Sequence, residues 1–240
     1  MKDDILEDRK LTFGQIMNGT IEMARDNFRL FAIYTVVLSV IGAASEWSAE
    51  MIPGMGGMDD YMVIFGAGAG FGGILYLIAM VIGQYVLWDR ILAGSGLGPT
   101  MAHNRYFGFL GQGILIAIGT ILGLMLLVVP GLIFMARWAM APALLVGYNQ
   151  GATEAMGNSW EATKGNTTPV VLGIVVGTLA IVALTGIIEA IGLVTTSLTP
   201  LTLFLGEVVS QTGSVLMIAL GLYLHEQFFG SAAQLVDVFE

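Results

Sequence analysis

Residues 107–148 read FGFLGQGILIAIGTILGLMLLVVPGLIFMARWAMAPALLVGY, and Arg137 is the one charged residue among them. A helix needs about 20 mostly apolar residues to cross the hydrocarbon core of a bilayer. The stretch therefore has room for two crossings, Phe107 to Val129 and Leu132 to Tyr148, meeting at Pro130-Gly131. Neither half alternates apolar and polar residues as a barrel strand would. With no water in the bilayer core to satisfy free backbone groups, both must be helices.

Four further windows of this kind flank the pair: Phe28 to Ala44, Tyr61 to Trp88, Pro169 to Gly192 and Leu201 to Leu224. Composition agrees. The chain is 56% hydrophobic and 11% charged, against roughly 25% charged in soluble globular chains. The expected fold is an all-α polytopic bundle of six transmembrane helices with two interfacial amphipathic helices. The whole of 1–240 reads as a single membrane domain, with a tail and interfacial helix over 1–27 and four spans over 28–148. A second interfacial helix covers 149–168, two spans cover 169–224, and a tail covers 225–240.

Basic residues set the orientation, because Lys and Arg gather in cytoplasmic loops. Lys2, Arg9, Lys10, Arg25 and Arg29 precede the first span, Arg90 and Arg105 lie between the second and third, and Lys164 lies between the fourth and fifth. The other connections carry none, and Ser45 to Asp60 holds only the acids Glu46, Glu50, Asp59 and Asp60. Both termini are expected in the cytoplasm. The first 27 residues are charged and lack the apolar core of a cleavable signal, so the first span is expected to direct insertion. A net charge of −9 argues against nucleic acid as a partner. The lipid bilayer is the expected partner, with a membrane-protein partner or a second copy of the chain as further options.

Thr12 to Phe28 has the pattern of an interfacial helix. Phe13, Ile16, Met17, Thr20, Ile21, Ala24 and Phe28 recur at helical spacing opposite Gln15, Asn18, Glu22, Arg25 and Asp26. Thr12 with Gln15 three residues on is a capping-box signature. Gly151 to Lys164 repeats the plan, with Ala155, Met156, Ser159, Trp160 and Thr163 on one face. Sliding Phe13–Val40 onto Ala152–Leu179 pairs Met17 with Met156, Thr20 with Ser159, Glu22 with Glu161, Arg25 with Lys164 and Asn27 with Asn166. Duplication of an interfacial helix and its following span, or convergence of two such segments, would give this pattern. Small residues at i, i+4 spacing (Gly66 with Gly70, Gly68 with Gly72, Gly119 with Gly123, Gly173 with Gly177) allow close helix approach, within one bundle or between copies.

The segment Leu126–Gly173 holds Val128-Val129-Pro130-Gly131, Ala141-Pro142 and Ala155-Met156-x-x-Ser159-Trp160-x-x-Thr163-Lys164. In this pattern it resembles the YciC-like family of bacterial inner-membrane proteins, and is similar to the membrane domain ahead of some glycerophosphoryl diester phosphodiesterases. The resemblance implies a multi-pass protein of the bacterial inner membrane. It transfers no catalytic residue, and nothing in the chain resembles the soluble phosphodiesterase domain.

Few residues could carry chemistry. At 1.5 Å per residue Arg137 lies roughly 8 Å below the outer end of a span starting at Leu132. An Arg at such depth needs an acidic partner or a route to the interface. Glu189 and Glu207 are at comparable depth, so Arg137 is expected to pair with one of them, as a structural clamp or as a substrate or proton site. Arg25, Arg29, Trp160 and Lys164 read as interfacial anchors. Pro130 and Gly131 mark the hairpin, and Pro142 a kink. Met51, Met55, Met58 and Met62 could offer soft thioethers to monovalent copper, or simply cover the bundle. The absence of Cys removes thiolate chemistry. His225-Glu226 begins a zinc-protease pattern that fails at Phe229. Gly94, Gly96 and Gly98 follow a membrane helix rather than a strand, so they read as a flexible connection. Asn18 and Asn166 head glycosylation triplets on the cytoplasmic side and are set aside, while Gln84 and Asp89 are the other polar residues that could converge. No metal, cofactor or catalytic set is expected. The leading expectation is a non-enzymatic inner-membrane protein serving membrane organisation, lipid handling or a membrane complex. The alternative is a small transporter or channel with an intramembrane Arg–carboxylate site.

Overall fold

The computed structural model describes residues 10–50, 71–95, 105–194 and 199–230. These form α1 (Phe13–Asp26), α2 (Phe28–Glu50), α3 (Phe71–Gly94), α4 (Tyr106–Leu126), α5 (Val128–Trp138), α6 (Ala141–Tyr148), α7 (Ala152–Ala162), α8 (Thr167–Val194) and α9 (Thr199–His225). A π-helical turn, Glu226–Gly230, comes after α9. The described residues hold no strand, and six helical stretches are long and apolar enough to cross a membrane. They are Phe28–Trp47, Gly73–Gly94, Tyr106–Leu126, Val128–Tyr148, Thr167–Val194 and Thr199–Gly230. The protein is therefore an all-α, multi-pass membrane bundle. Leu115, Ile118 and Leu122 of α4 and Leu179, Val182 and Ile187 of α8 are exposed. Apolar surfaces this continuous are at ease in hydrocarbon and would be a liability in water.

Two compact units make up the chain. One contains 1–28, 85–177 and 216–240, and the other contains 29–84 and 178–215. In the first, α4 lies along α5 and α6. The hairpin between them differs from the sequence expectation: the chain turns at Leu127, which is extended at φ −163° and ψ 147°, and α5 already begins at Val128. Pro130 thus sits in the first turn of α5, where its missing N–H removes no intrahelical bond. Gly131 has a different task. A Cβ there would come within 2.7 Å of the Leu124 backbone nitrogen, and one on Gly123 within 2.8 Å of the Gly131 Cα. The two glycines let the backbones of α4 and α5 meet.

The fourth span breaks where Pro142 predicts a kink. Helix α5 stops at Trp138, Met140 takes φ −101° and ψ 1°, and α6 restarts with Pro142 in its first turn. A proline ring clashes with the carbonyl four residues back and cannot donate to it, so the helix cannot run through. Met140, Ala141, Ala143, Leu144 and Leu145 are fully buried, which puts the break and α6 inside protein.

Helix α1 is capped as its sequence predicts. The Thr12 N–H donates to Gln15 Oε1 at 2.8 Å and the Gln15 N–H to Thr12 Oγ1 at 3.3 Å. Thr12→Ala should cost about 1 kcal/mol of stability, the usual worth of such a cap, measured by unfolding in a denaturing detergent. Ile16, Gly19 and Thr20 are buried, with Gly19 beneath the Tyr223 ring, while Phe13, Ile21 and Phe28 remain exposed. The Leu11 N–H donates to the buried Asn166 Oδ1 at 2.7 Å, fastening the start of α1 to the segment before α8.

The offset that aligns the two segments by sequence pairs Phe13 with Ala152 and Phe28 with Thr167, the first residues of α1 and α7 and of α2 and α8. It also pairs Gln15 with Glu154, whose Oε2 accepts the Gly151 N–H at 3.2 Å. The cap thus recurs in half, since Gly151 has no side chain to return the bond.

Candidate functional site

The break in the fourth span frees backbone carbonyls, and neighbouring side chains take them up. Ser159 Oγ of α7 donates to the Arg137 carbonyl at 2.6 Å, with Thr163 Oγ1 at 3.5 Å. Gln112 Nε2 of α4 donates to the Ala141 carbonyl at 3.2 Å and reaches the Ala152 carbonyl at 3.5 Å. Gln112, Ser159 and Thr163 are all buried. Irregular backbone is tolerated within a bilayer on this condition, that protein replaces the lost partners.

Helix α7 therefore does not turn its patterned face to lipid. Ala155, Ser159, Ala162 and Thr163 are buried against α4, α5 and α6, as their small size allows. Glu154, Glu161 and Lys164 occupy the exposed side, and Lys164 and Glu161 pair with each other.

Arg137 is held by this helix through a carbonyl and a ring face, with the Glu161 carboxylate of the same helix near enough to act on its charge. Its NH1 donates to the Trp160 carbonyl at 3.0 Å, and its guanidinium carbon lies 5.2 Å from the centre of the Trp160 ring. Phe134 stacks on Trp138 with centroids 5.0 Å apart and a 17° tilt, and Trp160 closes on both at 5.9 and 6.0 Å. Arg137 Nε is buried without a hydrogen-bond partner. The expected partners Glu189 and Glu207 belong to the other unit, and within its own unit Arg137 takes the Trp160 carbonyl. Hydropathy places a residue along a span but not around it, and the chain folds α7 back onto the break, where Trp160 takes the guanidinium. The exposed Glu161–Lys164 pair next to Trp160 also marks this level as one where charge meets a polar medium, while Arg137 lies nine residues, roughly 14 Å, along the stretch that begins at Val128.

Glu189 is exposed on α8. Glu207 belongs to a polar set in the second unit. Its Oε2 accepts from Tyr76 OH at 3.3 Å and from Gln211 Nε2 at 3.3 Å, and Gln211 Nε2 also donates to Tyr76 OH at 2.6 Å. Gly42 of α2 lies against the carboxylate, since a Cβ there would fall 2.6 Å from Glu207 Cδ. Tyr76 and Gln211 escape a reading of the sequence because they stand 131 and 4 residues from Glu207, and only the i, i+4 spacing of the second is visible there.

Of the expected anchors, Arg25, Arg29 and Lys164 are exposed, whereas Trp160 is half-buried in the aromatic group under Arg137. Arg105 donates from NH1 to the Gln150 carbonyl at 2.7 Å and holds the connection between α6 and α7. His225 is buried, stacked on Phe229 at 5.8 Å and close to Tyr148 at 5.4 Å. Gln84 and Asp89 belong to different units. Met51, Met55, Met58 and Met62, the Gly66–Gly70 and Gly68–Gly72 pairs, Gly96 and Gly98 lie wholly or in part outside the described residues or their described side chains. The chain matches no family model, no curated protein and no solved structure.

Proposed function

We propose that this chain is a non-enzymatic integral protein of the bacterial inner membrane, with both termini cytoplasmic, that handles lipid by engaging anionic headgroups of the cytoplasmic leaflet at Arg137. The observation that carries this reading is a guanidinium set among aromatic rings, hydrogen-bonded to a carbonyl and, among the described residues, to no carboxylate, with Nε lacking a partner. Phosphate is the anion such a group meets at a bilayer surface, and Arg binds it through a planar fork that Lys lacks. The exposed Phe13, Ile21 and Phe28 of α1, flanked by Arg25 and Arg29, suit the same surface. The resemblance of Leu126–Gly173 to the YciC-like family is in keeping with the location and lends no activity. The alternative is a transporter or channel built on an Arg137–carboxylate pair, a role for which the Trp160 carbonyl and ring already compete within the unit of Arg137.

The test is native mass spectrometry of the protein exchanged into detergent with equal phosphatidylglycerol and phosphatidylethanolamine. The wild type should retain the anionic lipid several-fold in preference, Arg137→Lys part of that preference, and Arg137→Ala little. A preference unchanged in Arg137→Ala, or absent from the wild type, would sink the proposal. Arg137→Lys keeps the charge and serves if the alanine variant fails to fold.

A further inference from the structure

Between residues 30 and 84 and between 178 and 215 the sequence contains no Lys, Arg or His. These stretches make up the second unit apart from Arg29 at its edge. Arg29 precedes Gly42 by thirteen residues, so it lies roughly 20 Å along α2 from the Glu207 carboxylate. The Glu207 carboxylate, about 12 Å into the span that starts at Thr199, therefore has hydrogen-bond donors but no nearby countercharge from its own unit.

The groups around it are oxygen-rich. Tyr76 OH and both Glu207 oxygens face Gln211 and Gly42. Gln211 is 3% exposed and its Oε1 has no hydrogen-bond partner, although its Nε2 on the same amide is bonded to Tyr76 and Glu207. Ser39 is fully buried and its Oγ also lacks a partner. First and sixth crossings run in opposite directions, and Gly42 lies against Glu207. One turn back along α2 to Ser39 thus corresponds to one turn forward along α9 to Gln211. Ser39 and Gln211 stand at about the same level of their two helices, one turn from Gly42 and Glu207. Buried acceptors left without partners are uncommon and call for an explanation. An intramembrane carboxylate is by default a functional group.

We propose that Glu207, Tyr76, Gln211 and Ser39 form a binding site for a single alkali-metal cation. One carboxylate balances one positive charge, whereas a divalent ion would leave an excess charge in an apolar setting. Carboxylate, amide carbonyl and hydroxyl oxygens are hard donors suited to such an ion. A proton on Glu207 would satisfy one acceptor and leave Gln211 Oε1 and Ser39 Oγ as they are. Gly42 is what leaves room for the carboxylate, because any side chain there would displace it.

The experiment uses the full chain in nanodiscs at fixed pH and ionic strength, in sodium, potassium or choline chloride. Modification of Glu207 by dicyclohexylcarbodiimide, which attacks carboxyl groups in apolar surroundings, is tracked by peptide mass, and thermal unfolding is measured in parallel. Sodium or potassium should slow modification of Glu207 at least tenfold relative to choline and raise the unfolding midpoint. Glu207→Gln should abolish the midpoint shift, and Ser39→Ala should raise the cation concentration required several-fold. Equal rates in all three salts, protection by calcium or magnesium alone, or a midpoint shift that survives in Glu207→Gln would overturn the site. Should Glu207→Gln fail to fold, protection of the wild type and its weakening in Ser39→Ala decide.

Discussion

Gly131→Leu should leave little folded protein. The Cβ alone would fall within 2.7 Å of the Leu124 backbone nitrogen, and the rest of the side chain would need space that α4 already fills. Overpacking a well-packed interior costs about 1 to 3 kcal/mol when side chains can shift. Here backbone must move, so the expected loss exceeds about 3 kcal/mol, with the same expected of Gly123→Leu. Gly113→Leu supplies the contrast. It lies on the same helix as Gly123, yet a Cβ there meets nothing within 4 Å, so the larger side chain enters lipid and stability should be unchanged. Size-exclusion profiles and unfolding in mixed micelles with dodecyl sulfate measure all three. Equal effects at positions 113 and 131 would mean that close approach of α4 and α5 is not what the glycines serve.

The second large effect is expected at Ser159. It is fully buried, and its hydroxyl donates at 2.6 Å to a carbonyl released by the break in the fourth span. Ser159→Ala leaves that carbonyl with Thr163 at 3.5 Å as its remaining donor, and a buried acceptor short of a partner costs about 1 to 3 kcal/mol. Ser159→Val adds bulk against the Arg137 backbone and should cost more. Thr163 Oγ1 already donates to the Ser159 carbonyl at 2.8 Å, so Thr163→Val alone should cost less. The pair should be non-additive, because either hydroxyl can serve the carbonyl when the other is lost. A double-mutant cycle by equilibrium unfolding reads this coupling, and strict additivity would show that the two hydroxyls do not share the acceptor.

Both cases lie at the boundary between what a sequence reveals and what it hides. The six crossings are legible in hydropathy because a bilayer leaves an apolar chain no other way to satisfy its backbone. The Thr12–Gln15 cap is local chemistry over three residues and is equally plain. Pro142 announces the break, since a proline acts on its own helix. The groups that repair the break are not local to it. Ser159, Thr163 and Trp160 come from a helix whose amphipathic pattern also fits a surface lying on lipid, and small residues such as Ala155 and Ala162 suit either neighbour. The partner of Arg137 is hidden for this reason: depth along one span is legible, direction around it is not. Glu207 carries a subtler signal that is nonetheless present in the sequence, namely the lack of any Lys, Arg or His through residues 30–84 and 178–215.

The bond from the Leu11 N–H to Asn166 Oδ1 spans 155 residues. During synthesis the first helix leaves the ribosome long before its acceptor exists, by on the order of ten seconds or more at about 5 to 20 residues per second. Through that interval four crossings enter the membrane while the N-terminal segment waits, with Ile16 and Leu11 uncovered. Its mooring comes with the fifth crossing, so a helix made well before the crossings is among the last elements to be fixed in place. A chain cut short before Asn166 would have its first helix loose, and quality-control proteases that read untethered N-terminal segments would have a means of telling the incomplete protein from the complete one.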